Sequence, residues 1–176
     1  DVVAAGNPGR LTWYENKYPW EWISHDISLN VTGGSGNMHV ADINDDNKPD
    51  VVRSGSNKVV LFINNLPNTV WTEINIDENM PGTFQAHIAD IDNDGDMDVA
   101  ATAEGATGSE ADIAWYENDG TGQTWNKHTI STNLVRARCL YIEDINNNGY
   151  MDVIVGDNSA DDVIVFFNND GGQNWT

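Results

Sequence analysis

Apolar residues occur in short runs along the chain, and segments rich in Gly, Asn, Asp and Pro separate these runs. Runs of four to eight apolar residues bounded by turn-forming residues predict β-strands. No long stretch places apolar residues at helical spacing, so the predicted helix content is near zero. Four of the runs begin directly after an aspartate, namely Asp1, Asp50, Asp98 and Asp152.

These runs repeat with a period of about 50 residues. After each of the four aspartates come a second strand and a strand that begins with Trp, and a further strand precedes three of the aspartates. Four short strands in a unit of this length are typical of a β-propeller blade. The prediction is an all-β fold, a single β-propeller segment of four-stranded antiparallel blades. The predicted units are 1–37 (partial), 38–85, 86–139 and 140–176 (partial).

One bulky residue recurs in the second strand of each unit, and the sequence alignment places Trp13, Phe62, Trp115 and Phe166 at this position. A large side chain at a fixed place in every unit favours packing between blades over a platform that stacks carbohydrate. The single cysteine, Cys139, lies in an apolar stretch, which predicts a buried thiol. One cysteine cannot form a disulfide within the chain.

Three acidic loops, residues 42–50, 90–98 and 144–152, lie between the first two predicted strands of their units. Asp or Asn occupies loop positions 1, 3, 5 and 9 in all three. Calcium takes six to eight oxygen ligands from carboxylates, amides, backbone carbonyls and water, so this pattern predicts calcium sites. Loop position 7 varies freely, as expected if it contributes only a backbone carbonyl. The alternative is a series of Asx-turns without metal, and the recurrence of the loop in register disfavours it.

The loops differ in charge. At positions 1, 3, 5 and 9 the middle loop has four carboxylates, the first loop three and the last loop two. Because ligand charge helps to set calcium affinity, the predicted order of affinity is middle, first, last. An EF-hand is excluded, because position 12 is Arg53, Ala101 or Val155, each inside a predicted strand, where that motif requires Glu.

The pattern Asp-x-Asp/Asn-x-Asp/Asn-Gly-x-x-Asp-Val, followed by Trp-Tyr-Glu-Asn and Trp-x-x-His-x-Ile, resembles the FG-GAP/VCBS repeats of integrin-like β-propellers. The resemblance implies three structural Ca²⁺ sites and a secreted or cell-surface location. Independently of the resemblance, the units at both ends hold fewer than four strands, so the chain is expected to be either a piece of a longer propeller, which is favoured, or a protomer that closes only with partner copies. The implied ligands, with position 7 acting through its backbone carbonyl, are Asp42, Asn44, Asp46, Lys48 and Asp50 in the first loop; Asp90, Asp92, Asp94, Asp96 and Asp98 in the middle loop; and Asp144, Asn146, Asn148, Tyr150 and Asp152 in the last.

The charge of the chain narrows its range of partners. Eight Lys and Arg residues oppose 28 Asp and Glu residues, which gives a formal net charge of −20 and a pI near 4.1. Such a surface repels nucleic acids and anionic lipids, so neither is an expected partner. No apolar run approaches the roughly 18 residues of a membrane-spanning helix, so membrane insertion is not expected either.

The sequence is compatible with three functions. The leading hypothesis is a non-catalytic recognition or adhesion module that binds a glycan or an extracellular protein through variable loops, residues 33–36, 105–111 and 120–123. The second is a fragment of a polysaccharide lyase or hydrolase, in which the repeat-equivalent residues His39, His87 and Tyr141 act as base and acid. The third is a calcium-rigidified structural segment of a surface or filament protein. His25 and His128 are interpreted as packing residues, because Ile74 takes their place in another unit.

Overall fold

The computed structural model describes residues 1–6, 9–29, 37–67, 70–105, 111–158 and 160–176. All elements in these ranges are β-strands, and they form four sheets. Sheet 1 contains β1 (Val2–Gly6), β2 (Arg10–Lys17) and β3 (Glu21–Ser28). Sheet 2 contains β4 (Met38–Ala41), β5 (Asp50–Gly55), β6 (Lys58–Ile63) and β7 (Thr72–Asp77). Sheet 3 contains β8 (Thr83–Ala89), β9 (Asp98–Ala103), β10 (Ala111–Asn118) and β11 (Trp125–Leu134). Sheet 4 contains β12 (Ala137–Glu143), β13 (Asp152–Asp157) and β14 (Asp162–Phe166).

Within each sheet the strands follow one another in chain order and pair antiparallel. The all-β prediction is therefore confirmed for the described residues. The division into units stays a prediction, and β8 and β12 begin at Thr83 and Ala137, three residues before the strand starts expected at 86 and 140. A register irregularity near the beginning of each strand allows pairing to extend beyond the apolar run that marked it in the sequence.

The hydrophobic core lies between consecutive sheets. One cluster joins sheets 1 and 2 through side chains such as Leu11 and Phe62, and a second joins sheets 2 and 3 through side chains such as Leu61 and Tyr116. A third joins sheets 3 and 4, with Trp115 completely buried in it. Sheets 2 and 3 therefore each bury both faces, which explains why β5 and β9 are buried along their whole length.

Each sheet has one structurally equivalent pair of Asp and Asn. The aspartate lies directly before or at the start of β1, β5, β9 or β13. Its carboxylate accepts the backbone N–H of an asparagine near the end of the strand that follows. The pairs, with N···Oδ1 distances of 2.9, 2.7, 2.9 and 2.8 Å, are Asp1–Asn16, Asp50–Asn64, Asp98–Asn118 and Asp152–Asn168. These bonds fix the true alignment of the four units.

This alignment corrects the aromatic pattern read from the sequence. Counted back from the four asparagines, the equivalent residues are Tyr14, Phe62, Tyr116 and Phe166. Trp13 and Trp115 lie one position earlier and face the following sheet, where they pack with Phe62 and Phe166 respectively. The side chains do pack between sheets, but from opposite sides of the junction. The sequence pattern could not show this, because a shift of one residue places a side chain on the opposite face of a strand.

Cys139 also differs from its prediction, since its thiol is exposed. Alternation along β12 buries Leu140 and Ile142 against sheet 3 and leaves Cys139 and Tyr141 on the opposite face of sheet 4.

Asparagine side chains connect neighbouring sheets. Asn118 Nδ2 donates to the carbonyl of Ile43 in sheet 2 at 3.0 Å and to that of Met97 in its own sheet's loop at 3.1 Å, while its Oδ1 accepts the N–H of Gly122 at 2.9 Å. Asn168 repeats this arrangement with the carbonyl of Ile91 at 2.9 Å. A buried amide thus satisfies backbone groups on both sides of a junction.

Replacing Asn118 by Ala should destabilise the protein by about 2 to 3 kcal/mol, because buried backbone groups in two sheets lose their partner at once. Urea unfolding followed by circular dichroism measures the effect. Asn126→Ala, which removes an exposed amide bonded to Glu117, is the control and should change stability by less than about 0.5 kcal/mol. Equal effects of the two substitutions would contradict the role given to Asn118.

Candidate metal site

The three acidic loops connect the first two strands of sheets 2, 3 and 4. Each has the left-handed conformation at position 6, where Asn47, Gly95 and Gly149 have φ of 63°, 100° and 92°. Position 4 is left-handed as well, with Asp45, Asn93 and Asn147 at 55°, 64° and 58°. Gly, Asn and Asp adopt this conformation most readily, which explains their use at both positions. The sequence analysis identified position 6 and missed position 4, although its Asp or Asn was a visible signal.

The aspartate at position 9 holds each loop closed. In the middle loop, Asp98 Oδ2 accepts the N–H of Ile91 at 2.9 Å, while Oδ1 accepts that of Asn118. Asp50 and Asp152 make the same bonds to the second loop residue, at 3.0 Å in both cases. All three aspartates are almost fully buried. Their carboxylates accordingly stabilise the loop backbone, and any metal bound to them would use their remaining lone pairs.

In the middle loop three carboxylates converge. Asp90, Asp92 and Asp98 each offer an oxygen, and these oxygens all lie within 4.8 Å of one another. Asp90 Oδ1 is buried and has no hydrogen-bond partner. Among the described residues this is the only group of three or more Asp, Glu, His or Cys side chains placed to hold a metal ion. The orphaned oxygen and the clustered anionic donors fit a hard divalent cation.

The electrostatics of this cluster also favour a cation. Burial, together with the nearby Asp92 and Asp94 carboxylates, raises the pKa of Asp98 to about 7, despite the hydrogen bonds from Asn118 and Ile91. Burial likewise raises the pKa of Asp92, and Asp94 adds to the effect. Buried anions without a counter-charge are costly, so a bound cation would remove an unfavourable interaction.

The other two predicted acids of the middle loop lie outside the converging group. Asp94 is exposed, and its Oδ1 accepts the N–H of Asp96 at 2.8 Å. The Asp96 side chain lies against the turn at Gly120, where an added Cβ would come within 2.5 Å of Asp96 Oδ2. Position 7 therefore directs its side chain toward the neighbouring loop, which leaves its backbone carbonyl as the atom that the ligand prediction requires.

The first loop contains a cation of its own. The Lys48 ammonium lies 2.7 Å from Asp46 Oδ2, and this hydrogen bond lowers the pKa of Asp46. Asp42 uses both oxygens within the loop, to accept the N–H groups of Asp46 and Asn47 at 3.1 and 2.7 Å. Asn44 Oδ1 also accepts the Asp46 N–H, at 3.2 Å. The sequence analysis treated Lys48 as a carbonyl ligand only and missed its side-chain ion pair.

The last loop satisfies its polar groups by internal hydrogen bonds. Asn148 Oδ1 accepts the N–H of Tyr150 at 2.9 Å, and its Nδ2 donates to the carbonyl of Asn168 at 2.8 Å. Asn146 Oδ1 accepts the Asn148 N–H at 2.9 Å, and Asp144 accepts those of Asn148 and Gly149 at 3.1 and 2.9 Å. Only Asp144 and Asp152 contribute carboxylates, so this loop has the least negative charge to offer a cation.

The three candidate catalytic residues lie together on the first strands of sheets 2, 3 and 4. The rings of His39 and His87 stack with centroids 4.1 Å apart, and Tyr141 contacts His87 edge-on at 5.7 Å. His39 Nδ1 accepts the backbone N–H of Ile88 at 3.1 Å, so this histidine bonds sheet 2 to sheet 3. His87 Nδ1 lies 3.2 Å from the Ile88 carbonyl, to which it donates. The hydrogen bond of His39 and the stacking of the two imidazole rings therefore join sheets 2 and 3, whereas the hydrogen bond of His87 stays within β8.

His25 and His128 stack on Trp13 and Trp115, with centroids 4.5 and 4.4 Å apart, and bond Glu15 and Glu117. Ile74 opposite Leu61 takes the same place in sheet 2. The packing role predicted for these histidines agrees with this geometry.

The variable loops are only partly described. Residues 33–36 and 106–110 lie outside the described residues. In the third variable loop, Gly122 packs against Ile63, Ile43 and Leu61 of sheet 2, with side-chain atoms 3.3 to 3.6 Å from the position of an added Cβ. This loop therefore contributes to the junction between sheets 2 and 3.

The stacked histidines predict a pH effect on stability. Burial lowers the pKa of both His39 and His87 below their ordinary value, and His87 lowers that of His39 further. As the pH falls below about 6.5, the unfolded chain binds protons that the folded rings resist, so the free energy of unfolding decreases. Between pH 7.5 and 5.5 the wild type should lose more stability than His87→Gln, measured by urea unfolding with calcium present. An equal loss in both proteins would contradict the expectation.

One part of the chain is similar to a known protein family. A model of the FG-GAP-like repeat family matches residues 42–101, which contain the first two acidic loops and the strands between them. No curated protein matches the chain. None of the described elements is a helix able to cross a membrane. The loops and the strand order of this part of the chain agree with the family match, and residues 42–101 are similar to an FG-GAP-like repeat.

Proposed function

We propose that this protein is an extracellular, calcium-binding β-propeller module with a non-catalytic role in recognition or adhesion. The single observation that carries the calcium assignment is the converging trio of Asp90, Asp92 and Asp98, in which a buried carboxylate oxygen has no partner. The family match supports the propeller arrangement, as does the packing of each sheet against the next.

The donor set of the middle loop selects the type of metal. The converging ligands are carboxylates, with no histidine or cysteine in the group, and oxygen-only sites favour calcium or magnesium over zinc and copper. Magnesium prefers rigid octahedral geometry with several retained waters, while calcium accepts the larger and more flexible set of oxygens that an acidic loop provides. Calcium is therefore the proposed ion, and it would neutralise the buried charge of the trio.

The other two loops are proposed as weaker sites for different reasons. Lys48 already neutralises part of the first loop through Asp46, and in the last loop Asn148 replaces a carboxylate and bonds Asn168. In these two loops, side chains of the protein itself provide the compensation of polar and charged groups that a cation would provide in the middle loop. The proposed order of affinity remains middle, first, last. Millimolar extracellular calcium would suit sites of graded affinity and is consistent with a secreted or surface location.

The recognition role rests on the FG-GAP-like repeat, and a glycan or an extracellular protein is the proposed partner. A purely structural segment of a surface protein would use the same calcium loops. A polysaccharide lyase is not favoured, because His39 accepts a backbone N–H of β8 and stacks on His87 across the junction of two sheets. Incubation with acidic polysaccharides, with His39→Ala and His87→Ala as controls, should release no unsaturated products. Release that depends on these histidines would overturn the non-catalytic assignment.

Calcium should stabilise the protein through the middle loop. Replacing a chelator by saturating calcium should raise the melting temperature by about 5 to 10 °C, since a ligand at 100 times its Kd adds roughly 2.7 kcal/mol to stability. Asp92→Asn should abolish most of this increase and the tightest phase of calcium binding measured by calorimetry. Asp162→Asn removes an exposed carboxylate outside the loops and should behave like the wild type. Identical melting curves with chelator and calcium would contradict the proposal.

The ion pair between Lys48 and Asp46 in the first loop leads to a second prediction about calcium binding. Lys48→Met removes the ammonium from Asp46 but keeps the backbone carbonyl, so calcium affinity of the first loop should rise by a factor of roughly 3 to 10. Calorimetry in an Asp92→Asn background isolates this loop from the middle site. Lys58→Met, which removes a lysine paired with Glu78, is the matched control and should leave the affinity unchanged. No difference between the two lysine variants would show that Lys48 does not compete with calcium.

A further inference from the structure

Two of the few positive charges of the chain lie together between sheets 3 and 4. Arg136 and Arg138 share a single carboxylate, that of Glu104. We call these three residues the arginine corner. Five of the eight Lys and Arg residues each pair instead with a carboxylate that no other Lys or Arg contacts, and the pairs are Arg10–Asp26, Lys17–Glu15, Lys48–Asp46, Lys58–Glu78 and Lys127–Asp77. The arginine corner thus has two positive charges against one negative charge, on a chain whose net charge is −20.

The two guanidinium groups are held to different degrees. Arg138 Nε and Nη2 donate to the Glu104 carboxylate at 3.0 to 3.1 Å, and its guanidinium lies 5.4 Å from the centre of the Phe84 ring in β8. Arg136 Nε lies 3.3 Å from Glu104 Oε1, its side chain is 47% exposed, and no described residue accepts a hydrogen bond from it. A guanidinium has five N–H donors in a planar arrangement. Those of Arg136 are therefore available to a ligand.

The segments that lead into β8 and β12 are structurally equivalent, so one serves as a comparison for the other. The Gly82 carbonyl accepts the N–H of Glu104 at 2.8 Å, and the Arg136 carbonyl accepts that of Asn158 at 3.1 Å. Glu104 and Asn158 are the first residues after β9 and β13. A register irregularity near the start of the strand follows in both cases. Gly82 in sheet 3 therefore takes the place that Arg136 takes in sheet 4.

The equivalent corner between sheets 2 and 3 has no charged residue at these three places. The residues in the places of Arg136, Arg138 and Glu104 are Gly82, Phe84 and Ser56. Sheets 2 and 3 nevertheless share an extensive apolar core. Packing of neighbouring sheets thus does not require charge at this corner, and the arginine corner needs another explanation.

The arginine corner also lies far from the acidic loop of its sheet. That loop ends at Asp98, the first residue of β9, and Glu104 follows the last residue of the same strand. Six residues in extended conformation span about 20 Å. Charges are screened over about 8 Å at physiological ionic strength, so the loop carboxylates offset little of the positive charge of the corner.

We propose that the arginine corner binds a sugar that carries one carboxylate, such as a uronic acid at the end of a glycan. The inference rests on the proposed recognition function and names a site and a ligand class for it. The Arg136 guanidinium would donate two parallel N–H groups to the carboxylate, a geometry that guanidinium groups favour. The remaining lone pairs of Glu104 would accept sugar hydroxyls. Val135, which directly precedes Arg136, is 44% exposed and offers apolar surface to the sugar ring.

The charge of the whole chain favours this class of ligand. A polyanion, such as a densely charged polysaccharide or an acidic peptide segment, would be repelled by the surrounding surface. A terminal acidic sugar brings one negative charge, and its other polar groups are neutral hydroxyls. One excess positive charge in the corner matches one carboxylate in the ligand.

Titration of the 176-residue chain with methyl β-D-glucuronide, in saturating calcium, tests the inference through the NMR signals of the arginine Nε–H groups. The signals of Arg136 and Arg138 should shift to saturation, with a Kd in the millimolar range. Methyl β-D-glucoside, which lacks the carboxylate, and sodium acetate, which lacks the ring, should each bind at least about tenfold more weakly, because each loses part of the contacts.

Substitutions at the corner separate binding from structure. Arg136→Gln should weaken glucuronide binding by about tenfold or more, followed through the Arg138 signal. Arg136→Lys keeps the charge but loses the planar donors, so its affinity should lie between those of the wild type and Arg136→Gln. Arg10→Gln, which removes an exposed arginine paired with Asp26 in sheet 1, is the matched control and should bind like the wild type. The backbone spectrum of each variant checks that it has folded.

Several results would overturn the inference. They are an absence of shifts at both arginines, unchanged affinity in Arg136→Gln, acetate binding as tight as glucuronide binding, and tighter binding of N-acetyl-aspartate N-methylamide, a peptide-like carboxylate. Shifts of backbone signals away from the corner would contradict this site alone and leave the recognition function in place. Calcium binding is measured by calorimetry on the same sample: calcium without glucuronide binding contradicts only this inference, and glucuronide without calcium binding contradicts only the calcium assignment.

Discussion

The buried aspartate at the start of the second strand is the constraint on which the rest of the structure depends. Asp98 accepts one backbone N–H from its own loop and one from Asn118, the asparagine at the end of the next strand. Asp50 and Asp152 accept the equivalent pairs of N–H groups. Two hydrogen bonds compensate part of the desolvation of each carboxylate. The pKa of Asp98 shows that they do not compensate all of it, since burial still raises it to about 7. Under the proposed function, a cation bound in the loop would supply the compensation that the hydrogen bonds do not.

The same aspartate links the loop to the packing of the sheets. It positions the backbone of Asn118, whose side chain then bonds the loop of sheet 2 through the Ile43 carbonyl. Asn168 repeats the link from sheet 4 to the loop of sheet 3. Each acidic loop described in sheets 2 and 3 is therefore held by the sheet that follows it. Under the proposed function, calcium in the middle loop would stabilise a junction between sheets as well as the loop itself.

Three loops with one backbone conformation balance their charge in different ways. In the middle loop three carboxylates converge, and one oxygen of Asp90 has no hydrogen-bond partner. In the first loop Asp46 pairs with Lys48, and in the last loop Asn148 bonds Asn168. Under the proposed function, Lys48 and Asn148 would reduce both the need of their loops for an external cation and the affinity for it. This division is consistent with a fold in which one junction depends most strongly on metal and the others form with less assistance.

The sequence by itself determined the strands, their four-unit repeat and the acidic loops, because alternation, turn residues and loop spacing are local properties of the chain. It did not determine the faces of the strands: the bulky residues Trp13, Phe62, Trp115 and Phe166, which recur at one place in the sequence pattern, belong to two faces, and Cys139 lies outside the core. Nor could it show that Asp90, Asp92 and Asp98 converge while Asp46 pairs with Lys48. Those outcomes were decided by tertiary structure, because strand register and packing against the next sheet set the direction of each side chain and the burial of each charge.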